Sequence, residues 1–194
     1  MMGLGEVVIA MKGHPGTGKS TIAHAIAAAL KCPLIDKDDI RYCTKPLQQS
    51  SSLSASNQLL NDISYQVMYQ IAKTQLHLGL NVIIDSPLSR KCHLDRLQQL
   101  SVGSTGRVRV IIIECTAQDE AEWRRRLEGR NNVDSNWHKP ATWKELENLL
   151  EGYNGCFNYD VGDVPKLVID TTSTINVEGL VSDALQFIFT HTKL

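Results

Sequence analysis

A three-layer, doubly wound α/β fold with a five-stranded parallel sheet, helices on both faces and a small lid is predicted by three features of the sequence. Short, nearly continuous apolar runs recur along the chain, as expected of strands buried on both faces. The segments between them carry apolar residues at three- and four-residue spacing, as amphipathic helices do. The first apolar run leads at once into "GHPGTGKST" (13–21), a glycine-rich turn that opens a helix. Strand and helix in alternation imply parallel strands joined by right-handed crossovers.

Taken in order, "VVIAM" (7–11) is the first strand, "TIAHAIAAALK" (21–31) the first helix and "PLI" (33–35) the second strand. The Ser/Gln-rich stretch "KPLQQSSSLSASNQ" (45–58) reads as a surface loop, placed where a flap over a substrate would move. A long helix over "NQLLNDISYQVMYQIAKTQLHLG" leads to the strand "NVIID" (81–85), and a helix over "KCHLDRLQQL" to the strand "RVIIIEC" (109–115). After the helix in "AQDEAEWRRRLEG", the polar, Arg- and Trp-rich stretch 124–140 suits an exposed lid. "KLVID" (166–170) is the last strand, and Val177, Leu180, Val181, Leu185 and Ile188 share the core face of the last helix.

The 194 residues suit one domain, 1–194. With 42% apolar and 21% charged residues the composition excludes wholesale disorder. A net charge of -1 supplies no overall cationic field, so nucleic acid is not favoured as a partner and any basic site is local. Five cysteines, an odd number with no CxxC pair, argue against a disulfide framework or zinc site and point to a reducing, cytoplasmic compartment. No 18-residue apolar span or signal peptide is evident, which disfavours a membrane role.

Chemistry enters at the glycine turn. Gly13, Gly16, Gly18, Lys19 and Ser20 fill the pattern G-x-x-x-x-G-K-[ST] between a strand and a helix. In this arrangement the backbone of Gly13, His14, Pro15, Gly16, Thr17, Gly18, Lys19, Ser20 and Thr21 surrounds a nucleotide's phosphates, with the His14 side chain a spacer. Lys19 reaches the outer phosphates and Ser20 ligates Mg²⁺. The cradle identifies the ligand, a nucleoside triphosphate, but is shared by switches, motors and kinases. No guanine-reading "NKxD" follows. Instead "LIDKDDIR" places Asp36, Asp38, Asp39 and Arg41 past a strand end, where ligands gather in open α/β sheets.

A hydroxyl that attacks a γ-phosphoryl group needs alignment and a nearby carboxylate. Asp38 is the preferred source, with Asp36 the alternative and Asp39 a first-turn helix acid; acids here also suit helix capping. Asp85, ending "NVIID", is placed to hold a Mg²⁺-bound water or position the acceptor, and Arg90 follows on the same rim. "EWRRRLEGRN" clusters Arg124, Arg125, Arg126 and Arg130, cations of the kind that stabilise the charge of phosphoryl transfer. Trp137, His138, Lys139 and Trp143 are either part of an acceptor pocket or aromatic anchors under the lid.

The glycine turn, "DKDDIR", "VIIDSP" and "RLEGR" together resemble the small P-loop kinases of the polynucleotide kinase, zeta toxin and gluconate kinase type. The resemblance implies that Asp38 takes the acceptor's proton, that Arg41 steadies the acceptor, and that Arg126 and Arg130, four residues apart, are the lid arginines. It also implies that the loop from Asp170 to Thr174 lies beside the adenine. The expected activity is ATP- and Mg²⁺-dependent phosphorylation of a hydroxyl on a small molecule. The alternatives are a polynucleotide 5′-hydroxyl kinase and a nucleotide-binding regulatory ATPase.

Overall fold

The computed structural model describes residues 7–49, 56–100, 108–129 and 139–192. Strand β1 (Val7–Lys12) is followed by helix α1 (Lys19–Leu30), β2 (Leu34–Asp36), α2 (Lys37–Cys43), α3 (Lys45–Gln49) and α4 (Asn57–His77). The chain continues through β3 (Val82–Asp85), α5 (Lys91–Leu100), β4 (Arg109–Thr116), α6 (Glu120–Glu128), α7 (Trp143–Gly152), β5 (Lys166–Asp170) and α8 (Val177–Thr192). All five strands pair in parallel, in the order β2-β3-β1-β4-β5.

Strand alternation divides the core between two faces. Val8 and Ala10 of β1, with Val82, Ile84, Val110 and Ile112, face Tyr65, Met68 and Ala72 of α4 and Leu94 and Leu97 of α5. Val7, Ile9 and Met11, with Ile83, Ile111 and Ile113, face Ile22 and Ile26 of α1 and Leu180, Ala184 and Ile188 of α8. Every residue of β1 and β3 is buried, the pattern expected of central strands in a sheet covered on both sides.

The chain moves from β1 outward past β3 to β2, then returns to β3 before crossing to β4, so the strand order reverses beside β1. Ligands collect at the carboxyl ends flanking such a reversal. The register brings Asp36 opposite Asp85 there, on adjacent strands.

One sequence expectation is corrected. The stretch 45–58 is not all loop: Lys45–Gln49 forms a helical turn nucleated where the Thr44 carbonyl accepts from the amides of Leu47 and Gln48. Pro46 is tolerated because a first-turn residue needs no intrahelical amide bond. The lid stretch 124–140 begins inside α6, and its section 130–138, with Arg130, Trp137 and His138, lies outside the described residues. Beyond it an unanticipated helix, α7, starts with a reciprocal capping box between Thr142 and Glu145. Among the described residues no helix is long and apolar enough to cross a membrane.

Candidate active site

The glycine turn is held in a shape that needs glycine at two points. Gly13 has φ +151, and a Cβ there would lie 2.6 Å from the Cys115 carbonyl oxygen; its amide donates to Pro87 O at 3.3 Å, tying the turn to the end of β3. Gly16 has φ +88, and a Cβ there would lie 2.8 Å from the Trp123 indole nitrogen. The Trp123 indole donates to Pro15 O at 2.8 Å, so α6 is latched onto the outside of the turn. Gly18, left-handed at the start of α1, aims that helix's amino end into the turn. Unpaired amides and the helix dipole make such an end a site for anions.

His14 does more than space the glycines. Its ring stacks on Phe157 at 3.7 Å and lies within 6.1 Å of Trp123 and 5.7 Å of Tyr153. Burial, reinforced by Lys12, pushes its pKa down to about 4, so it is a neutral packing ring at pH 7. Lys12 itself is buried, paired with Glu114 at 2.6 Å and seated over the Phe157 ring at 3.3 Å.

Lys19 forms an ion pair with Asp85, which is wholly buried at the end of β3. Burial alone would lower the lysine's pKa, but the charge and hydrogen bond of Asp85, with Asp38 and Asp36 behind them, reverse the effect and raise it. The second carboxylate oxygen of Asp85, Oδ2, has no partner among the described residues. Asp36 caps α2, accepting the amide of Asp38 at 2.8 Å. Its own pKa is pushed up to about 6 by burial, then by the negative charges of Asp85 and Asp38.

One cavity of about 950 Å³ runs from this cradle to α2 and α4. Gly16, Gly18, Lys19 and Ser20 line one end; Asp38, Arg41, Asn57, Asn61, Tyr65 and Arg90 line the other. Asp38 lies between two lysines, 3.1 Å from Lys37 Nζ and 2.9 Å from Lys139 Nζ. Arg41 is no surface charge: it is 3% exposed and donates to Asn57 Oδ1 at 2.9 Å, Gln48 Oε1 at 3.3 Å and Thr44 Oγ1.

The predicted residues therefore separate into groups. Lys19, Ser20, Asp38, Arg41 and Arg90 all line the cavity. Asp85 stands behind Lys19. Arg126 does not line it. Its guanidinium donates to Glu122 Oε1 at 2.7 Å and to the side chain and carbonyl of Thr171, each at 3.0 Å. Thr171 in turn donates to Thr17 O at 2.8 Å, so Arg126 braces the cradle from the end of β5. The loop expected beside the adenine, Asp170–Thr174, is thus joined to the glycine turn. Arg130 lies outside the described residues.

Sequence reasoning passed over Lys37, Asn57, Asn61, Tyr65, His93 and Tyr153, all of which line the cavity. A usable signal existed for the first three: Lys37 and Arg41, like Asn57 and Asn61, are four apart and so share a helix face.

The donor set fits a magnesium ion. Mg²⁺ takes oxygen ligands, commonly one or two carboxylates completed by substrate phosphates and water. The Ser20 hydroxyl and the unpartnered Oδ2 of Asp85 are the oxygens that would hold it.

A family model described as an AAA domain matches residues 8–153. The chain belongs to that family. Among solved structures it is similar to a candidate kinase from Chloroflexus aurantiacus, at 25% identity and TM-score 0.70, over 94% of this chain and 98% of that one. A gluconokinase from Sinorhizobium meliloti aligns at 17% identity and TM-score 0.60, over 99% and 95% of the two chains. Kti12 from Chaetomium thermophilum, in complex with ADP-AlF3, aligns at 19% identity and TM-score 0.62, over 93% and 98%. No curated protein matches the chain. This AAA-domain protein has the fold of the small P-loop kinases, with a nucleotide-binding glycine turn.

Proposed function

We propose that the chain is an ATP-dependent phosphotransferase that moves the γ-phosphoryl group to a hydroxyl of a small-molecule acceptor. The observation that carries this reading is the single cavity shared by the Lys19 cradle and Asp38. The likeness in fold to a candidate kinase and to a gluconokinase supports it.

In this reading the triphosphate lies along the turn, and Lys19 leaves Asp85 for the β- and γ-phosphate oxygens. That exchange would free Asp85 to hold Mg²⁺ together with the Ser20 hydroxyl, and the ion, when bound, would supply neutralisation of phosphate charge. The acceptor oxygen attacks the γ-phosphorus, the bond to the β-γ bridging oxygen breaks, ADP departs, and the hydroxyl proton passes to Asp38. Lys37 and Lys139 keep the Asp38 carboxylate in place. Most of the acceleration comes from alignment and charge stabilisation rather than from the proton transfer. Arg126 supports the cradle through Thr171; closing over the phosphoryl group would require it to give up those hydrogen bonds.

The test is incubation of the pure protein with γ-labelled ATP and fractionated pools of metabolites and oligonucleotides. Label in a small-molecule fraction is expected. Label in the oligonucleotide fraction, with activity falling steeply as salt rises, would identify a polynucleotide kinase instead. ATP hydrolysis with label in no acceptor would identify a regulatory ATPase.

A further inference from the structure

Helix α4 is apolar on two faces, and the sheet covers only one of them. Tyr65, Met68, Ala72 and Leu76 are buried in the core against the strands. Leu59, Ile63, Val67 and Ile71 form a second row, each four residues from the next and each more than a third exposed. Residues at this spacing are neighbours on a helix surface, so the row is a continuous ridge about 18 Å long. Single exposed apolar side chains are ordinary, but a helix that is apolar nearly all round is one that is covered on all sides.

The symmetry of the ridge indicates what covers it. Ile63 and Ile71 stand four residues to either side of Val67. Two copies of α4 packed antiparallel about a two-fold axis beside Val67 therefore set Val67 against Val67, and each Ile63 against Ile71 of the other copy. Charge follows the same register. Asp62 is five residues before Val67 and Lys73 six after it; eleven residues are close to three full turns, so both lie on one flank of the ridge. The two-fold axis brings these flanks together with their ends reversed, so that Asp62 of each copy meets Lys73 of the other. Gln66 and Gln70 lie on that flank between them, and carboxamides, being donors and acceptors at once, complement one another. Asp62 is exposed and accepts from Gln58 at 2.8 Å, which leaves its carboxylate room for a further donor.

A stable dimer buries about 800 Å² on each partner, more than one ridge supplies. The antiparallel arrangement adds the surroundings of the helix ends. At the amino end of α4, Arg41 ties α2 to Asn57, and Tyr42 of α2 and Leu47 of α3 are exposed. Just past the carboxyl end Leu78 is 69% exposed and Leu80 is bare as well. Reversal of the second copy brings one set toward the other.

We propose that this face of α4 is the interface of a homodimer, its occupant a second copy of this chain. The same helix carries Asn61 and Tyr65 of the cavity wall, so the contact supports that wall from its far side. Dimerisation is independent of the reaction the cavity performs.

Sedimentation equilibrium of the pure protein provides the test. The wild type should be a dimer in the micromolar range; a monomer up to about 100 μM overturns the proposal. Val67→Glu sets two carboxylates against each other on the axis and should raise the dissociation constant on the order of a hundredfold. Asp62→Lys and Lys73→Asp, each of which opposes like charges at both rims, should each raise it about tenfold, and the double variant should return it to within about threefold of the wild type. Val168→Thr, at an exposed apolar residue of β5, should leave it unchanged. Loss of the dimer in Val168→Thr, a dimer indifferent to Val67→Glu, or charge reversals whose effects add instead of compensating overturns the proposal. Should Val67→Glu lack a cooperative melt, the charge-reversal cycle decides, since it leaves the apolar ridge intact.

Discussion

The two ends of the cavity are built by opposite means. The cradle is nine consecutive residues whose function resides in backbone amides, a helix end and one lysine. The acceptor end draws its side chains from α2, α4, the stretch from Pro87 into the first turn of α5, and the segment from Lys139 to Tyr153. A local backbone device admits few substitutions but can be read in one line of sequence. A side-chain device assembled across the fold can change its ligand residue by residue, and for that reason no short motif spells it. Substitutions at the two ends should therefore fail in different ways.

The largest expected effect is at Lys19. Lys19→Met should cut phosphoryl transfer by on the order of a hundred- to a thousandfold or more, since a donor aimed at developing charge is lost. It should also lower stability, because Asp85 is left buried without its partner, and breaking a buried pair typically costs about 3 to 5 kcal/mol. Adding Asp85→Asn should restore the unfolding midpoint but not the activity. A single variant as stable as the wild type would show that the cradle lysine is not a structural partner of β3.

At the other end, Asp38→Asn should reduce transfer by roughly a hundred- to ten-thousandfold, the range of general acid-base contributions. ATP affinity, measured by titration, should stay near wild type. Equal loss of both would remove Asp38 from the base role and erase the distinction between the two ends.

Gly16→Ala probes the cradle without touching a charge. The left-handed backbone there costs on the order of 1 to 3 kcal/mol for a residue with a Cβ, and the new methyl meets the Trp123 indole at 2.8 Å. Nucleotide affinity should fall about tenfold, with a change in tryptophan emission. Trp123→Ala in the same chain should relieve the clash but not the backbone strain, giving partial recovery.

The contrast also explains what the sequence disclosed. The central strands were legible because burial on both faces leaves nearly continuous apolar runs, as in Val82–Ile84 of β3. Lys19, Ser20 and Asp38 were legible because a fixed turn or strand end locates them. The orientation of Arg126 was not legible, because an arginine at a helix end looks the same in sequence whether it turns into the cavity or, as here, back onto Thr171. Helix α7 was missed although "TWKE" (142–145) spells the capping box that starts it. Tyr153 and Phe157 gain meaning only when the chain returns to His14, more than a hundred residues earlier in sequence.

The smallest effect lies where the two ends meet, at Asp36. Its carboxyl caps α2 and sits opposite Asp85, so the fold holds its pKa near 6, above the ordinary value of 3.8. In that window the native state binds more protons than the unfolded chain, so stability falls as pH rises from about 4 to about 6 and then levels off. Asn is as good an N-cap as Asp and carries no charge. Asp36→Asn should therefore keep α2, flatten that slope, and leave the protein more stable at pH 7 by on the order of 1 kcal/mol, a figure reduced by the partial solvation of the site. Thermal midpoints of both proteins between pH 4 and pH 8 provide the measurement, with the two curves converging at the acid end. A variant less stable at pH 7 would mean that attraction to Lys19 outweighs repulsion from Asp85 and Asp38, making Asp36 part of the cradle's charge balance rather than a helix cap strained by its neighbours.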